Sequence, residues 1–522
     1  MTSATVANPR TTRTLSHVAR SSLLIAIFFT LDKGLGFLRQ ILIGRQFGVS
    51  AELDAFNAAN NLPDLLFALI SGGALALALI PVLSEVLDRQ GRPPMWELFS
   101  RIGNWAFLLT GGLALGIAAL AGPIVRSELG IAPGFSPELQ SLVVSLMRLN
   151  LIATLVFSLS GLVMAGLQAN QHFLLPAMAP VFYDLGQIFG ALVLAPTVGL
   201  TFGPLRLPAA GMGVHGLVYG VILGACLHLV VQIPGLLRFR FRWFPRLGLN
   251  HPGVRQIARL LGPRILTIGA FNLIFIVQDN LASRLGVGAV TALAFGWLIM
   301  QVPETIVGTA LGTAILPTLS EQAARGDERG FEASLARAVQ VLLAFALPTT
   351  VILAITIRPL LQAAFGFDPT GTDLVAWATR AFLVGLAGHS LLEVAARAFY
   401  ARQDARTPLL VSMVSAVVFV VAGIGLFKPL GAPGIGLANS LAFSLEAGIL
   451  LALLARRYPS LGRQGRPLTR ILVGTLLGGA VAWWILGLWP GVPLFGAAAA
   501  LAAGSALSLA FVIPELRLLR RL

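Results

Sequence analysis

The chain has 522 residues, of which 56% are hydrophobic and only 11% are charged, and its formal net charge is +15. Soluble domains carry about 25% charged residues, so this composition excludes an ordinary water-soluble enzyme and is typical of a chain that lies in a bilayer. Cys226 is the single cysteine, which excludes an internal disulfide.

Long apolar runs recur along the whole chain. They exceed the length of a strand and lack period-two alternation, so each predicts a membrane-spanning helix. The first run continues past Lys33 and Arg39 without an A-x-A cleavage site, which indicates a retained helix rather than a signal peptide. The predicted spans are 22–47, 55–86, 102–125, 138–168, 174–196, 212–235, 257–283, 289–320, 334–358, 374–401, 408–427, 433–455, 470–488 and 493–514.

One stretch of the chain occurs twice. GGALALALIPVLSE at 72–85 and GTALGTAILPTLSE at 308–321 share eight of fourteen positions, and both become charged after the proline. Because both copies end in a charged segment on the same side, an even number of spans separates them. The sequence therefore predicts two parallel six-helix halves, an architecture of transporters with the substrate site between the halves. Duplication for stability alone is the alternative.

The predicted fold class is an all-α polytopic membrane protein with about fourteen helices, arranged as two parallel six-helix lobes plus two C-terminal helices. The segments in chain order are a cytoplasmic N-tail (1–21), the first lobe (22–235), a basic cytoplasmic linker (236–256), the second lobe (257–455), the two extra helices (470–514) and a cytoplasmic tail (515–522).

The basic residues set an orientation. Most of the 37 lysines and arginines fall in the two tails and in alternate loops, and the opposite loops hold few. This asymmetry follows the positive-inside rule and predicts that both termini face the cytoplasm. The longest basic segment, RFRFRWFPRLGLNHPGVRQIAR, is interpreted as an interfacial segment on anionic headgroups rather than as an RNA-binding segment.

The first span carries three charges inside an apolar run, Asp32, Lys33 and Arg39. An ionisable residue at the middle of a bilayer costs about 2.5–3.5 kcal/mol on insertion scales, so each is a functional candidate. Helical spacing places Asp32 and Arg39 on one stripe with Gly36. The structural alternative is a neutralising Asp32–Lys33 pair with Arg39 reaching the interface.

Carboxylates mark the second and seventh spans. Asp54 lies near the outer mouth, Asp64 follows the helix-breaking Pro63, and Asp279 is an intramembrane carboxylate of the second half. Each fits a cation site or an ion-pair partner. We expect Asp279→Asn to abolish any ion dependence if the residue binds a cation, and to lower insertion if it only neutralises an arginine.

Enzymatic motifs are not indicated. GMGVHG at 211–216 matches a dinucleotide fingerprint but does not follow a strand, so it is interpreted as a glycine turn into a span. The histidines lack metal-ligand spacing, and no serine lies in a nucleophile elbow. We therefore expect a transporter with no catalytic residues, no bound metal and no cofactor beyond a coupling cation or the membrane potential.

Four motifs in order resemble the MurJ/MviN family of lipid II flippases, in the multidrug/oligosaccharidyl-lipid/polysaccharide exporter superfamily. They are DAFNAANNLPDLLFALISGGALALALIPVLSE, LPAMAPVFYDLGQIFGAL, GTALGTAILPTLSEQAARGD and RAFYARQDARTPLLV. The resemblance covers about residues 22–500. It implies fourteen helices, two lobes, a central cavity with alternating access, and a lipid-facing groove on the last two helices.

The resemblance also implies a substrate and binding residues. The substrate is an undecaprenyl-pyrophosphate-linked glycopeptide, whose two negative charges suit cationic side chains. Lys33 and Arg39 fall on the two basic positions of the family's first helix, and Asp54 on its helix-2 aspartate. Asp32 and Asp64 are expected to orient the cations when the site is empty.

Three departures from the family affect the cavity. Phe67 stands where the family usually has an arginine, and Gly72 stands at a later glutamate position. Leu298 stands at the position of a helix-8 cavity arginine. Each remaining cation is therefore expected to matter more in this chain.

A further departure affects the sodium site described in some members. Asp279 is in place and Asn439 replaces a threonine, so these two residues form the candidate cation site. Phe419 and Gly423 fall on the helix-11 ligand positions and cannot coordinate a cation.

The expected function is flipping of lipid II from the cytoplasmic to the outer leaflet of a bacterial inner membrane, for cell wall synthesis. The alternatives are export of another lipid-linked saccharide and cation-coupled antiport of a small molecule. A drug antiporter is expected to have buried carboxylates without basic cavity residues, which the Lys33/Arg39 pair disfavours. Expected partners are the lipid-linked substrate and membrane lipids, with no nucleic acid and a monomeric protein.

Overall fold

The computed structural model of the chain describes residues 9–70, 73–199, 201–202, 205–248, 251–462, 465–489 and 493–518. Nearly all of these residues are helical. The exception among regular elements is a small hairpin, in which β1 (Thr201–Phe202) pairs antiparallel with β2 (Leu205–Arg206). Gly72 and residues 1–8 and 519–522 of the predicted tails lie outside the described residues.

The helices of the first half begin at Pro9. They are α1 (Pro9–Phe47), α2 (Ala51–Ile70), α3 (Gly73–Gln90), α4 (Arg92–Arg126), α5 (Pro137–Ala169), α6 (Leu174–Phe189) with a π-helical turn at Gly190–Leu194, α7 (Val214–Val230) and α8 (Ile233–Arg238).

The helices of the second half begin at Pro252. They are α9 (Pro252–Ser283), α10 (Ala289–Glu304), a π-helical turn at Thr305–Thr309, α11 (Ala310–Arg325), α12 (Glu328–Phe365), α13 (Pro369–Val384), α14 (Leu386–Ala401), α15 (Arg406–Leu430), α16 (Ala432–Arg457), a 3₁₀ turn at Pro459–Gly462, α17 (Gly465–Leu488) and α18 (Pro493–Leu516).

The predicted all-helical membrane fold is confirmed. Within the described residues, eleven helical segments are long and apolar enough to cross a membrane. The three other predicted spans coincide with α1, with α2 and α3 together, and with α9. Hydropathy located these elements because a helix must be apolar over about 20 residues to cross the hydrocarbon core.

The chain divides into two compact units. Unit 1 comprises 1–46, 59–125 and 141–269, and unit 2 comprises 47–58, 126–140 and 270–522. The predicted lobes follow the sequence repeat, whereas these units follow contacts. Loop 126–140 belongs to unit 2 because, for example, Asn280 donates to the carbonyl oxygen of Glu128 at 2.9 Å.

Each unit has its own apolar core. In unit 1 the core surrounds Trp96, whose ring packs edge-on against Phe99 with centroids 5.3 Å apart. In unit 2 the core surrounds Phe331, which stacks on Tyr458 with centroids 5.3 Å apart. Burial of these large rings stabilises each unit, at about 25 cal/mol per Å² of apolar surface.

Glycines bring α6 and α7 together in unit 1. A Cβ added at Gly186 would lie 2.4 Å from the Cα of Gly224, and one added at Gly190 would lie 2.6 Å from the Cα of Gly220. Membrane helices often pack in this way through small residues. Because lipid tails are as apolar as the helices, the hydrophobic effect does not drive the helices together, and close van der Waals packing does. The contact fixes α6, and therefore the side chains that α6 presents to α1.

One predicted turn is confirmed, and the structure adds a helix cap that was not predicted. Gly211 and Gly213 have φ values of 68° and 57°, so both adopt the left-handed backbone that a turn into α7 requires. In the family motif at 402–407, Asp404 begins α15 by accepting hydrogen bonds from the Thr407 hydroxyl at 2.6 Å and from backbone N–H groups. These bonds lower the pKa of Asp404.

Candidate functional site

Arg39 and Asp184 form an ion pair inside unit 1. The Nη1 atom of Arg39 on α1 donates to Oδ1 of Asp184 on α6 at 2.7 Å. The side chains are 18% and 4% exposed, respectively. The pair therefore joins two apolar helices through charges that are largely removed from solvent.

Gly36 packs against this pair. It lies one helical turn before Arg39, and a Cβ added there would stand 3.4 Å from Oδ2 of Asp184, in van der Waals contact. A side chain larger than that of alanine would compete with the carboxylate for space. The glycine of the first span thus has a packing reason in addition to the flexibility that glycine gives a helix.

Lys33 and Asp32 form a second, more open pair on α1. Their Nζ and Oδ2 atoms are 3.3 Å apart, and Lys33 is 63% exposed while Asp32 is 19% exposed. The ammonium also lies 5.2 Å from the ring centroid of Phe29, close enough for a cation–π contact. The expected Asp32–Lys33 pair is therefore present, and it leaves the ammonium accessible.

Asp64 on α2 completes a single electrostatic group. Its side chain is exposed, and it interacts with the charge of Arg39. Asp184 in turn interacts with the charges of Arg39, Asp32 and Lys33. Four of the five predicted substrate-binding residues thus share a neighbourhood in unit 1, with Asp184 between them.

The group contains three carboxylates and two cations. Because these charges offset one another, the helices can hold them at a lower cost than isolated charges in an apolar medium. One hydrogen-bond donor of Arg39 remains unused. Its Nε–H is buried and has no hydrogen-bond partner in the described part of the chain. The arrangement can exchange one anion for another at the guanidinium.

Asp184 was missed by sequence reasoning, although its signal was present. The residue lies in VFYDLGQIFG, an otherwise apolar run, and an intramembrane carboxylate is a functional candidate by default. Its partner could not be found from spacing, because Arg39 is 145 positions away.

Phe67 has a packing role in unit 1. Its ring centroid lies 5.2 Å from that of Phe157, which in turn lies 4.7 Å from Tyr183 and 5.4 Å from His228. Where the family resemblance implies an arginine, this chain therefore has an aromatic cluster. The expectation that the cations of α1 recognise the substrate's anion stays a prediction.

Asp54 belongs to unit 2 and is fully buried. Its carboxylate accepts the backbone N–H of Gly288 at 2.5 Å and that of Thr291 at 2.7 Å. These are N–H groups at the start of α10, where a negative charge also meets the positive end of the helix dipole. The structure gives this carboxylate a capping role, and its substrate-binding role stays a prediction.

The candidate cation site lies in unit 2 as well. Asp279 is 6% exposed and takes part in a polar interaction, and Asn439 is fully buried. The Nε2 atom of His389 donates to Oδ1 of Asn439 at 3.1 Å, which engages the oxygen that would bind a cation.

Two positions that the family resemblance assigns to the sodium site offer no side-chain oxygen. Phe419 is fully buried, and Gly423 carries no oxygen in its side chain. Hard cations need several oxygen ligands. The role of Asp279 and Asn439 as a cation site stays a prediction.

A second charged group in unit 2 was also missed. Arg397 pairs with Glu393 one turn earlier on α14, and Glu304 accepts from the Thr309 hydroxyl at 3.2 Å across the π-helical turn. A Cβ added at Gly312 would lie 2.4 Å from the Nη1 atom of Arg397, so this glycine leaves room for the guanidinium. Here carboxylates outnumber cations, which makes the group a poor anion site.

Comparison with known proteins gives the family. Residues 43–516 match the family described as "Lipid II flippase MurJ". The lipid II flippase MurJ of Burkholderia cenocepacia is 30% identical over 455 residues, which is 84% of each chain. A probable lipid II flippase MurJ of Rhizobium meliloti is 28% identical over 89% of this chain and 85% of its own.

Solved structures show the same fold. A lipid II flippase MurJ in an inward closed conformation aligns with a TM-score of 0.79 at 20% identity, over 95% of this chain and all of the other. An inward-facing multidrug resistance MATE family transporter of the MOP superfamily aligns with a TM-score of 0.69 at 14% identity, over 83% of this chain and 96% of the other. The match along nearly the whole chain shows that this protein belongs to the lipid II flippase MurJ family.

Proposed function

We propose that this protein moves lipid II from the cytoplasmic to the outer leaflet by alternating access, and that Arg39 holds the pyrophosphate. Flipping of lipid II is the activity that its family carries in its name. The observation that carries the proposal is the Arg39–Asp184 pair, a guanidinium held inside a membrane unit by one exchangeable anion.

Asp184 acts as the anion of the empty carrier. Its single contact with Nη1 of Arg39 is 2.7 Å long. A pyrophosphate offers more oxygens and about two negative charges, and it can engage the guanidinium fork bidentately. The substrate therefore displaces Asp184, and Asp184 returns to Arg39 when the substrate leaves.

Lys33 supplies the second cation. It is 63% exposed, and its pairing with Asp32 at 3.3 Å is weak enough to be shared with a phosphate. Asp32 and Asp64 hold Lys33 and Arg39 in place between transport cycles. Phe67, at a position where the family usually has an arginine, packs in an aromatic cluster and offers no charge. Lys33 and Arg39 therefore bind the anion in unit 1.

The membrane potential is the proposed driving force. An inside-negative potential favours outward movement of negative charge by about 2.3 kcal/mol per charge at 100 mV. At the candidate cation site of Asp279 and Asn439, the positions of Phe419 and Gly423 supply no side-chain oxygen, which disfavours sodium coupling. No cofactor enters the proposed cycle.

The protein is multi-pass, and we place it in the bacterial inner membrane with both termini in the cytoplasm. The segment 238–248 supports this orientation, because its three phenylalanines pack on the core of unit 1 while its arginines at 238, 240 and 242 are exposed. It is fastened to α4, where Trp96 donates to the carbonyl oxygen of Phe239 at 3.0 Å. Exposed arginines at this level suit the anionic cytoplasmic leaflet.

This orientation is tested by Pro245→Cys in a Cys226→Ser background. A membrane-impermeant thiol reagent should label it only after the cells are opened. Labelling of intact cells would contradict the orientation.

The function is tested by a leaflet-protection assay with labelled lipid II in vesicles that contain the purified protein. The wild type should make lipid II accessible on the opposite leaflet, and undecaprenyl-linked saccharides of other types should move more slowly. If lipid II stays protected while another lipid-linked saccharide moves, the protein exports that saccharide. If only small organic cations move, it is an antiporter, and the anion-binding role of Arg39 is wrong.

A further inference from the structure

A groove of about 770 Å³ runs between α12, α13 and α17 in unit 2. Its volume lies within the range of small-molecule sites. None of the predicted substrate-binding residues lines it. It is therefore separate from the charged group on α1 and needs an occupant of its own.

The floor of the groove is apolar. Val351 and Ile355 come from α12, Val384 from α13 and Leu486 from α17. A Cβ added at Gly479 would lie 2.6 Å from Cγ1 of Val351, so this glycine lets α17 approach α12 at the inner end. A floor of this kind suits a hydrocarbon chain.

Two arginines line the same groove. The Nε–H of Arg380 donates to the carbonyl oxygen of Ala354 at 2.8 Å, and its guanidinium lies 4.7 Å from the ring centroid of Trp377. Arg358 pairs with Asp373 through Nε at 2.5 Å and Nη2 at 3.3 Å. Two cations face one carboxylate, which leaves an excess positive charge on an apolar groove.

Tryptophans surround the mouth. Trp483 is 71% exposed and Trp489 is 40% exposed, and both line the groove, while Trp377 is 57% exposed beside Arg380. Tryptophans of membrane helices concentrate at the level of the lipid headgroups.

The arginines face one another from neighbouring helices near the loop that joins α12 to α13. At 1.5 Å per residue, Arg358 is about 10 Å from the end of α12 at Phe365, and Arg380 is about 16 Å from the start of α13 at Pro369.

We propose that this groove binds one anionic phospholipid of the surrounding leaflet, with its phosphate between Arg358 and Arg380 and an acyl chain on the floor. Charge complementarity selects this occupant, because guanidinium groups bind phosphate oxygens strongly. A substrate's isoprenoid tail would use the apolar floor but not the two arginines. The bound lipid fixes α17 against α12 and α13.

The test is native mass spectrometry of the full chain released from mixed vesicles of phosphatidylglycerol and phosphatidylcholine. The wild type should retain one phosphatidylglycerol in preference to phosphatidylcholine. Arg358→Gln with Arg380→Gln should retain about tenfold less, because charge-assisted bonds to the phosphate are lost. Trp483→Ala should lower retention less.

Arg325→Ala is the matched control, since Arg325 is also exposed and paired with a carboxylate, that of Glu321 at 2.6 Å. It should retain the lipid as the wild type does. If the double variant unfolds, Arg358→Gln alone serves as the test, because Arg358 is 46% exposed.

Two results would overturn the proposal: equal retention in the arginine variants, or equal retention of phosphatidylcholine. Arg39→Ala should keep the lipid while losing transport. Failure of this proposal is therefore distinguishable from failure of the flippase mechanism.

Discussion

Asp184 in unit 1 and Asp54 in unit 2 are both buried carboxylates, but they are used differently. Asp184 bonds to a side chain, the guanidinium of Arg39, which can rotate away and accept another anion. Asp54 bonds to two backbone N–H groups at the start of α10, which cannot move without disrupting the helix. A carboxylate with a mobile partner can take part in a transport cycle, whereas one with a fixed partner holds the scaffold together.

The same contrast separates other polar groups of the two units. In unit 1, Lys33 is largely exposed and its partner Asp32 is adjacent. In unit 2, Asn439 is fully buried and bonded to His389, and Ser440 donates to the carbonyl oxygen of Ala381 at 2.6 Å. We therefore locate anion recognition in unit 1 and expect most polar substitutions in unit 2 to act through stability.

The largest effect is expected at Arg39. Arg39→Ala should lower the rate of lipid II flipping by about a hundredfold, because two charge-assisted hydrogen bonds of about 1.5 kcal/mol each are lost. Arg39→Lys should retain part of the rate, since lysine keeps the charge but not the bidentate fork. The measurement is the leaflet-protection assay in vesicles.

Arg101 provides a matched control in the same unit. It pairs with Glu97 at 2.7 Å, and its side chain is 16% exposed, against 18% for Arg39. Arg101→Ala should flip lipid II at the wild-type rate. Equal losses in the two variants would mean that Arg39 supports the fold and does not bind the substrate.

Comparison of the expectations with the structure shows which features a sequence encodes locally. The spans follow from hydropathy, because crossing a bilayer constrains every residue of a run. The π-helical turns at Gly190–Leu194 and Thr305–Thr309 were not predicted, since they depend on packing against neighbouring helices.

The partners of the charged residues are also non-local. Spacing identified Arg39 and Asp54 as unusual, but the bonds they make join residues 145 and 234 positions apart. Only Asp32 and Lys33, which are adjacent in the chain, could be paired from the sequence alone. The sequence therefore identified polar residues in apolar spans but not what they contact, and their role in substrate binding stays a prediction.

A smaller effect, on stability, is expected at Asp54. Asp54→Ala leaves two buried N–H groups unpaired and should lower the free energy of unfolding by about 3 kcal/mol. Asp327 is the matched control, because it is an exposed cap that accepts the N–H of Gly330 at 2.9 Å. Asp327→Ala should cost about 1 kcal/mol or less.

The Asp54 result is measured by thermal unfolding of the purified protein and by flipping per folded molecule. A capping role for Asp54 predicts a lower unfolding temperature with near-normal flipping. A stable Asp54→Ala protein that flips no lipid II would instead indicate that Asp54 binds the substrate.

The smallest effect is expected on ion dependence. Replacing sodium by choline should leave the rate of flipping unchanged, because Phe419 and Gly423 offer no side-chain oxygen and Oδ1 of Asn439 is engaged by His389. Asp279→Asn should lower the yield of folded protein, since Asp279 is buried and takes part in a polar interaction. If flipping depended on sodium and Asp279→Asn abolished that dependence, Asp279 would be a ligand of a coupling cation.

The exchange of Asp184 for the substrate's pyrophosphate at Arg39 is tested most directly by the affinity for undecaprenyl pyrophosphate, measured by native mass spectrometry. Asp184→Asn removes the competing anion, so this variant should bind about tenfold more tightly than the wild type and release its ligand more slowly. Arg39→Ala should bind more weakly, and Glu97→Gln, which alters the control pair, should bind as the wild type does. A folded Asp184→Asn protein with wild-type or weaker affinity would contradict the exchange.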